Sequence, residues 1–472
     1  MRSSSRPQRW HIKTSERRFL LIIGDILTTC TSLLLALYFW AAGDAWMEFS
    51  LEFIRTRPPF WFFLLPILWL ILMVELYDLR RANNLIETLK GISIATIILA
   101  AIYLLVYFTS EPNSLPRLGV AFFIIINTVT AFIWRLVYIK IFTAPQFLRR
   151  VLIIGAGKAG HTLVNIIASQ SPKPFNLIGL IDDDHQKIGT KIGDYEILAG
   201  SEKLLQIIQE NEISDLILAI TGDMKSVMFQ AILTAQELGI NMTTMSNAYE
   251  EILERVPVFL LEADWVIRSF VEKVHTGSVY RLSKRGLDLI GALIGVLIMA
   301  ILLPFISLAL LIDSGLPIFY RQERLGRGGE PYTIFKFRTM RQNAEKEGEV
   351  RLTSMNDARI TRIGRFLRRT HLDELPQFIN VLQGNMSLVG PRSERKKFVT
   401  YYQQEIPFYR ARLLVKPGIT GWAQINFGYA ETVEDTGIKL EYDLYYIEHR
   451  NIFVDTVIMV RTVGTVLGFK GR

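Results

Sequence analysis

Cysteine is almost absent. The 472 residues include one, Cys30, set inside an apolar run. No disulfide framework and no cysteine metal site can form within the chain, so its working parts need no oxidising compartment. Charge is scarce as well. Charged residues make up 21%, below the roughly 25% usual in soluble domains. Hydrophobic residues reach 50% and the mean hydropathy is +0.26, which excludes a disordered chain and argues against an all-soluble one. The few charges are uneven in sign: 53 Lys and Arg against 45 Asp and Glu, a formal net charge of +8. That excess suits phosphate-bearing partners: anionic lipid head groups, nucleotides or nucleic acid. The length exceeds one ordinary core of about 100–200 residues, so several domains are expected.

Long apolar runs are what the chain has in abundance. Phe19–Trp40, Phe60–Leu76, Ile92–Phe108 and Leu118–Trp134 each approach the about 20 residues that cross a hydrocarbon core. The first lacks a small-residue cleavage site and reads as a span, not a signal peptide. Basic residues flank alternate loops: Arg2, Arg6, Arg9, Lys13, Arg17 and Arg18; then Arg80, Arg81 and Lys90; then Arg135, Lys140, Arg149 and Arg150. The positive-inside rule makes these regions cytoplasmic and returns the chain to the cytoplasm at residue 150. Asp25 and Glu75 read as structural carboxylates, Asp25 within reach of Arg17 or Arg18 and Glu75 near an interface.

The segment from Arg149 reads as strand, glycine turn and helix. Gly155, Gly157 and Gly160 form G-x-G-x-x-G after the strand Val151–Ile154. A second strand ends at Asp182, where a ribose-binding acidic residue would sit. The spacing predicts a Rossmann-like domain over 149–250. No Tyr-x-x-x-Lys follows, and the glycines also suit tight helix–strand packing, so nucleotide binding and a structural role both stay open. Residues 251–283 read as a polar linker.

Leu289–Ile312 is uncharged and holds Pro304. Arg321, Arg324, Arg327, Lys336, Arg338 and Arg341 follow it, which a fifth span would place outside. A helix broken at Pro304, entering and leaving on the cytoplasmic face, satisfies both hydropathy and charge.

Downstream, Arg362, Arg365, Arg369 and Asp373 recur at helical spacing. On one helix they would share a face, a guanidinium row leading to a carboxylate and suited to a diphosphate. Asp373 and Glu374 are adjacent and point apart, which suits a nucleophile or metal ligand beside a group that moves a proton.

LDELPQFINVLQGNMSLVGPR, with KFRTM (Lys336–Met340) before it and KPGITGWAQIN (Lys416–Asn426) after it, resembles the bacterial sugar transferases, the monotopic phosphoglycosyl transferases. The resemblance extends over the chain: a four-helix transmembrane domain (1–148), a Rossmann-like, CoA-binding-like domain (149–250), a linker (251–283) and a catalytic domain with a re-entrant membrane helix (284–472). It implies a bacterial inner-membrane protein of α plus α/β class with its catalytic domain on the cytoplasmic face. The implied reaction transfers hexose 1-phosphate from a UDP-sugar, glucose or galactose favoured, to undecaprenyl phosphate. UMP is released, and exopolysaccharide, capsule or O-antigen synthesis begins.

By the same resemblance Asp373 is the nucleophile, forming a phosphosugar-aspartyl intermediate, and contacts Mg²⁺. Glu374 is its acid/base partner. Pro391 and Arg392 form the turn that binds the nucleotide-sugar, and Lys336 and Arg338 stand among the substrate-binding residues. Lys284 and Arg285 are the basic pair opening the membrane helix. Ser393 stands where the family often has proline, implying a looser turn, and Leu303 where small forms often carry serine. His371 is expected on the surface or in a cap. Partners are the two substrates and membrane lipid, not nucleic acid. A homodimer stays open. So do two rival readings: a membrane-anchored nucleotide-sugar oxidoreductase or epimerase, and a non-catalytic membrane scaffold.

Overall fold

The computed structural model describes residues 14–43, 48–109, 116–142, 148–171, 173–260, 277–341, 357, 359–428 and 430–467. Arg2, Arg6, Arg9 and Lys13 of the expected cytoplasmic segment lie outside the described residues. The chain forms two compact units, Met1–Glu251 and Ile252–Arg472.

In the first unit, Glu16–Ala42, Leu85–Phe108 and Arg117–Phe142 are helical, apolar and long enough to cross a membrane. The run at 60–76 is not a fourth. It divides into a 3-10 turn (Phe60–Leu64), a helix (Leu65–Leu72) and a second 3-10 turn (Val74–Tyr77). Pro59 and Pro66 punctuate it, each tolerated only before or within a first turn. The fourth helix of sufficient length, Ser278–Ser314, belongs to the second unit. Asp25 pairs with neither Arg17 nor Arg18. Its partner is Arg135 on the 117–142 helix, at 2.6 Å, with both side chains at most 1% exposed. Breaking such a buried pair from one side costs about 3–5 kcal/mol. Glu75 is paired with Arg81 at 2.7 Å.

The same unit carries a six-stranded sheet of order β3-β4-β2-β1-β5-β6. β1 (Arg150–Ile154), β2 (Asn176–Ile181), β4 (Tyr195–Ala199), β5 (Asp215–Leu218) and β6 (Asn241–Thr244) run parallel, and β3 (Lys191–Ile192) pairs antiparallel with β4. β1 is a continuous apolar run, buried along nearly its whole length, as a central parallel strand requires. Two glycines of the motif act through packing. Gly155 adopts φ +106°, and a Cβ on Gly160 would fall 2.2 Å from the Gly155 carbonyl oxygen.

The second unit is built around the 37-residue helix Ser278–Ser314, which opens eleven residues before the apolar run. The helix passes through Pro304 without interruption, so the expected break is not a gap. Its faces differ. Ala292, Gly295, Met299, Ile306 and Leu310 are buried against the rest of the unit. Ile290, Ile294, Leu297, Ile301, Phe305, Leu308 and Ile312 form an exposed apolar stripe with helical spacing, Phe305 at 71% and Ile312 at 80%. Beside it lie the antiparallel pair β7 (Phe319–Leu325) and β8 (Pro331–Phe337), and the short parallel pair β9 (Ser387–Val389) and β10 (Gly418–Thr420). The helices Val433–His449 and Ile452–Leu467 complete it. Residues 252–260 are core and not linker: Val256 and Val258 are buried, and the Trp422 indole donates to the Glu254 carbonyl oxygen at 3.0 Å. Residues 261–276 lie outside the described residues.

Candidate active site

Both ends of the 278–314 helix are fastened to the second unit. At its start, Lys284 Nζ donates to the Val389 carbonyl oxygen (3.1 Å), Tyr446 Oη (3.1 Å) and Asp455 Oδ2 (2.9 Å). Arg285 donates to the carbonyl oxygens of Val381 (2.8 Å) and Leu382 (2.9 Å), closing the C-terminal end of the helix Gln377–Gln383. Asp288 Oδ1 accepts from Ser387 Oγ (2.8 Å) and the Leu388 amide (2.9 Å). At the far end, Arg338 donates to the Ser314 carbonyl oxygen at 2.7 Å and to that of Gly315. Asp313 Oδ2 accepts from the Ile363 amide at 3.0 Å, where the helix Arg362–Arg369 begins. Lys284, Arg285 and Arg338 therefore brace backbone and helix ends instead of facing the carboxylate dyad. Unpaired helix-end carbonyls are natural partners for guanidinium groups.

Those braces hold three pieces together. Strand β8 delivers Lys336. A 3-10 turn, Leu372–Glu374, delivers the dyad. The chain after β9 delivers Pro391 and Arg392. Asn380, fully buried, ties β8 to the helix Gln377–Gln383 that follows the dyad: its Nδ2 donates to the Thr333 carbonyl oxygen (2.8 Å) and its Oδ1 accepts from the Phe335 amide (3.1 Å). Sequence reasoning passed over Asn380, since an Asn within an apolar helix carries no signal of its own.

Lys336 Nζ (2.8 Å) and Arg392 Nη2 (2.7 Å) converge on the same oxygen, Glu374 Oε1. Burial alone would raise the Glu374 carboxyl, but Arg392 and Lys336 outweigh it and hold the group well below the usual carboxylate range. Asp373 differs. It is buried, and among the described residues no donor hydrogen-bonds its carboxylate. Burial, with the Glu374 charge beside it, pushes Asp373 up to about 6 against the pull of Lys336, Arg368 and Arg392. Two adjacent carboxylates are thus shifted in opposite directions, a division that suits two chemical roles. Burial also depresses the Lys336 ammonium.

The guanidinium row does not reach the dyad. The helix ends at Arg369, and His371 takes a left-handed conformation (φ +57°) that turns the chain before Asp373. Arg362, Arg365 and Arg369 are exposed on the outer face. The inward arginine is Arg368, whose Nε donates to Thr339 Oγ1 at 2.8 Å and whose charge acts on Asp373. Extending the helix through His371 had selected the wrong face. His371 supplies a backbone cap, its carbonyl oxygen accepting from the Glu374 amide at 3.1 Å. The turn at Ser393 is not loose: Gly418 N reaches the Pro391 carbonyl oxygen (2.9 Å), Arg324 Nη1 that of Ser393 (3.2 Å) and Leu325 N that of Glu394 (3.0 Å).

In the first unit, Asp182 is already engaged. Its Oδ2 accepts from the Ala156 amide inside the glycine turn (2.7 Å), its Oδ1 from the Asp184 amide (2.9 Å), and Lys187 lies 3.3 Å away. These donors outweigh burial and hold its carboxyl low. The residue nominated for a ribose instead closes its own loop, whereas Gly157 faces open space.

Residues 279–469 match the family described as bacterial sugar transferase, and residues 73–243 match a CoA-binding domain. A UDP-glucose:undecaprenyl-phosphate glucose-1-phosphate transferase of Klebsiella pneumoniae is 34% identical over 68% of this chain and 68% of its own length. One of the same description from Xanthomonas campestris pv. campestris is 31% identical over 68% of this chain and 67% of its own. A UDP-N-acetylgalactosamine-undecaprenyl-phosphate N-acetylgalactosaminephosphotransferase of Aeromonas hydrophila is 42% identical over 41% of this chain, an alignment that spans only 46% of that protein.

Proposed function

Because the chain belongs to the bacterial sugar transferase family, we propose that it transfers hexose 1-phosphate from a UDP-sugar to undecaprenyl phosphate, giving UMP and undecaprenyl diphosphate-sugar. The observation that carries this is the dyad: Asp373 with no hydrogen-bond donor among the described residues, beside a Glu374 held ionised by Lys336 and Arg392. An Asp373 oxygen attacks the sugar-bearing phosphorus of the donor. The bond from that phosphorus to the bridging oxygen breaks, and UMP leaves with the electron pair. A phosphate oxygen of the polyprenyl acceptor then attacks the same phosphorus and expels the Asp373 carboxylate. Two steps let a soluble donor leave before a lipid acceptor arrives.

Lys336 and Arg392 are the cations placed to meet the donor phosphates. As they turn to the diphosphate, Glu374 loses its partners and becomes free to handle a proton or position the acceptor phosphate. Mg²⁺ fits this arrangement. Asp373 offers oxygens that no donor among the described residues claims, and hard cations of this kind bind through one or two carboxylates plus substrate phosphates. When bound there, it would neutralise developing phosphate charge.

The 278–314 helix is read as re-entrant, entering and leaving the bilayer on the cytoplasmic face of the inner membrane. Support comes from its two fastened ends. Lys284 and Arg338 tie opposite ends to one soluble core, which a helix crossing the bilayer could not do unless that core crossed too. The exposed stripe supplies the lipid contact. Glucose is the favoured sugar, because the relatives aligned over two thirds of the chain carry that specificity in their names. Galactose stays within the reading. The test is UMP release from a panel of UDP-sugars with undecaprenyl phosphate and Mg²⁺. Release with at least one donor is expected, and its absence with every donor overturns the proposal.

A further inference from the structure

Arg392 reaches Glu374 only because its backbone is aimed there, and the backbone has a support of its own. Four consecutive carbonyl oxygens, those of Pro391, Arg392, Ser393 and Glu394, each accept a hydrogen bond, from three separate parts of the chain. The donor to the Arg392 carbonyl oxygen is Arg412 Nη2, at 2.9 Å. Arg412 is 4% exposed and forms an ion pair with Asp443 at 2.9 Å, itself 2% exposed. Its Nη1 donates to Tyr409 Oη at 2.7 Å, and Glu394 Oε1 lies 3.8 Å away. With Pro391, Arg392 and Ser393 it lines a small recess under the turn.

One planar fork thus serves two hydrogen-bond acceptors and one counter-ion, on three elements. A lysine ammonium could keep the charge but not that geometry. A buried ion pair is a weak source of net stability, since desolvation offsets the attraction. Its use here lies in fixing a position. We propose that Arg412, with Asp443 as its counter-ion, is a positioning residue of the donor site. It holds the Arg392 backbone so that the guanidinium meets Glu374 and then the donor diphosphate. The inference rests on the function proposed above.

A double-mutant cycle tests it. Arg412→Gln and Asp443→Asn are measured alone and combined with Arg392→Gln, following UMP release at varied UDP-sugar. Arg412→Gln is expected to lower kcat/KM for the donor by about 10²-fold, the scale of an ångström misplacement, with KM for undecaprenyl phosphate unchanged. In the Arg392→Gln background the same change should cost about threefold or less, because residues acting through one group are not additive. Equal losses in both backgrounds would overturn the proposal. Should Arg412→Gln fail to fold, Arg412→Lys carries the test. Hydrogen exchange of the 389–394 segment is its second readout. Faster exchange confined to that segment is expected in Arg412→Lys, and unchanged exchange there would sink the idea. That arm decides the matter even if the unaltered chain releases no UMP from any donor, a result that would count against the function alone.

Discussion

Lys336 and Arg392 donate to a single oxygen of Glu374, at 2.8 and 2.7 Å, although they arrive from segments 56 positions apart in sequence. Glu374 is therefore the anchor that keeps two phosphate-seeking cations in place before the donor comes. Glu374→Gln retains an acceptor atom but removes the charge. Turnover should fall by about 10²–10⁴-fold, and formation of the phosphosugar adduct from donor alone should slow with it. Adduct formation at the unaltered rate, with only the acceptor step stalled, would confine Glu374 to the second step.

Asp373→Asn keeps the shape of the proposed nucleophile but not its reactivity. Intact-protein mass after rapid quench with UDP-sugar should show a hexose phosphate added to the unaltered chain and none added to the variant, with UMP release lost. Product formed in a ternary mixture without any adduct in the unaltered chain would replace the covalent route by direct transfer.

Asp373 is pushed up to about 6, so its nucleophilic form is lost below that pH. The ratio kcat/KM reports groups of the free enzyme. For the donor it should fall about tenfold per pH unit on the acid side of about pH 6. The linkage has a fixed sign. A carboxyl raised from 3.8 to about 6 binds its proton more tightly when folded, so its contribution to stability declines as pH rises through that window. Asp373→Asn should therefore unfold at a higher temperature than the unaltered chain near pH 7, read by thermal unfolding at both pH 5 and pH 7.

Gly315 closes the membrane helix in a left-handed conformation (φ +72°). With Cys30→Ala, a cysteine placed at Gly315 is expected to resist an impermeant thiol reagent added outside cells, and to react after permeabilisation. Labelling from outside would replace the re-entrant reading by a crossing helix.

Chemistry should survive without the first unit. A chain starting at Ile252 should retain UMP release in the presence of lipid. One starting at Ser283 omits Val256 and Val258, each buried, and should unfold several degrees lower, as burial of about 1.5–3 kcal/mol per side chain implies. Loss of all release from the folded, membrane-bound longer form would assign the first unit a catalytic part.

The dyad, Lys336 and Arg392 were legible because each stands in an ordered motif whose residue types suit phosphate chemistry. The parallel sheet was legible because β1 and β5 each open on one charged residue and continue apolar, with a glycine turn between β1 and its helix. What the sequence could not show was direction. Arg368 and Arg369 are neighbours with the same charge, and only the left-handed turn at His371 decides which one faces Asp373. Lys284, Arg285 and Arg338 read as ligands for substrate because a basic residue's partner is not written in spacing. Their partners are carbonyls and carboxylates brought near by tertiary packing. The run at 60–76 had the composition of a span, yet prolines at 59 and 66 and a break near Met73 divide it.

The helix fastened at both ends has a mechanical consequence. Its lipid-facing stripe and the dyad share one stiff frame, so neither can change depth in the bilayer without carrying the other. If the helix lies in the bilayer as proposed, the height of Asp373 above the midplane is set once, by Asp313 and Arg338 at one end and Lys284, Arg285 and Asp288 at the other. A water-soluble sugar nucleotide can approach at any angle. On the function and membrane placement proposed above, the acceptor's phosphate floats at one level only, and the frame would act as a depth gauge that keeps Asp373 at that level as the bilayer ripples.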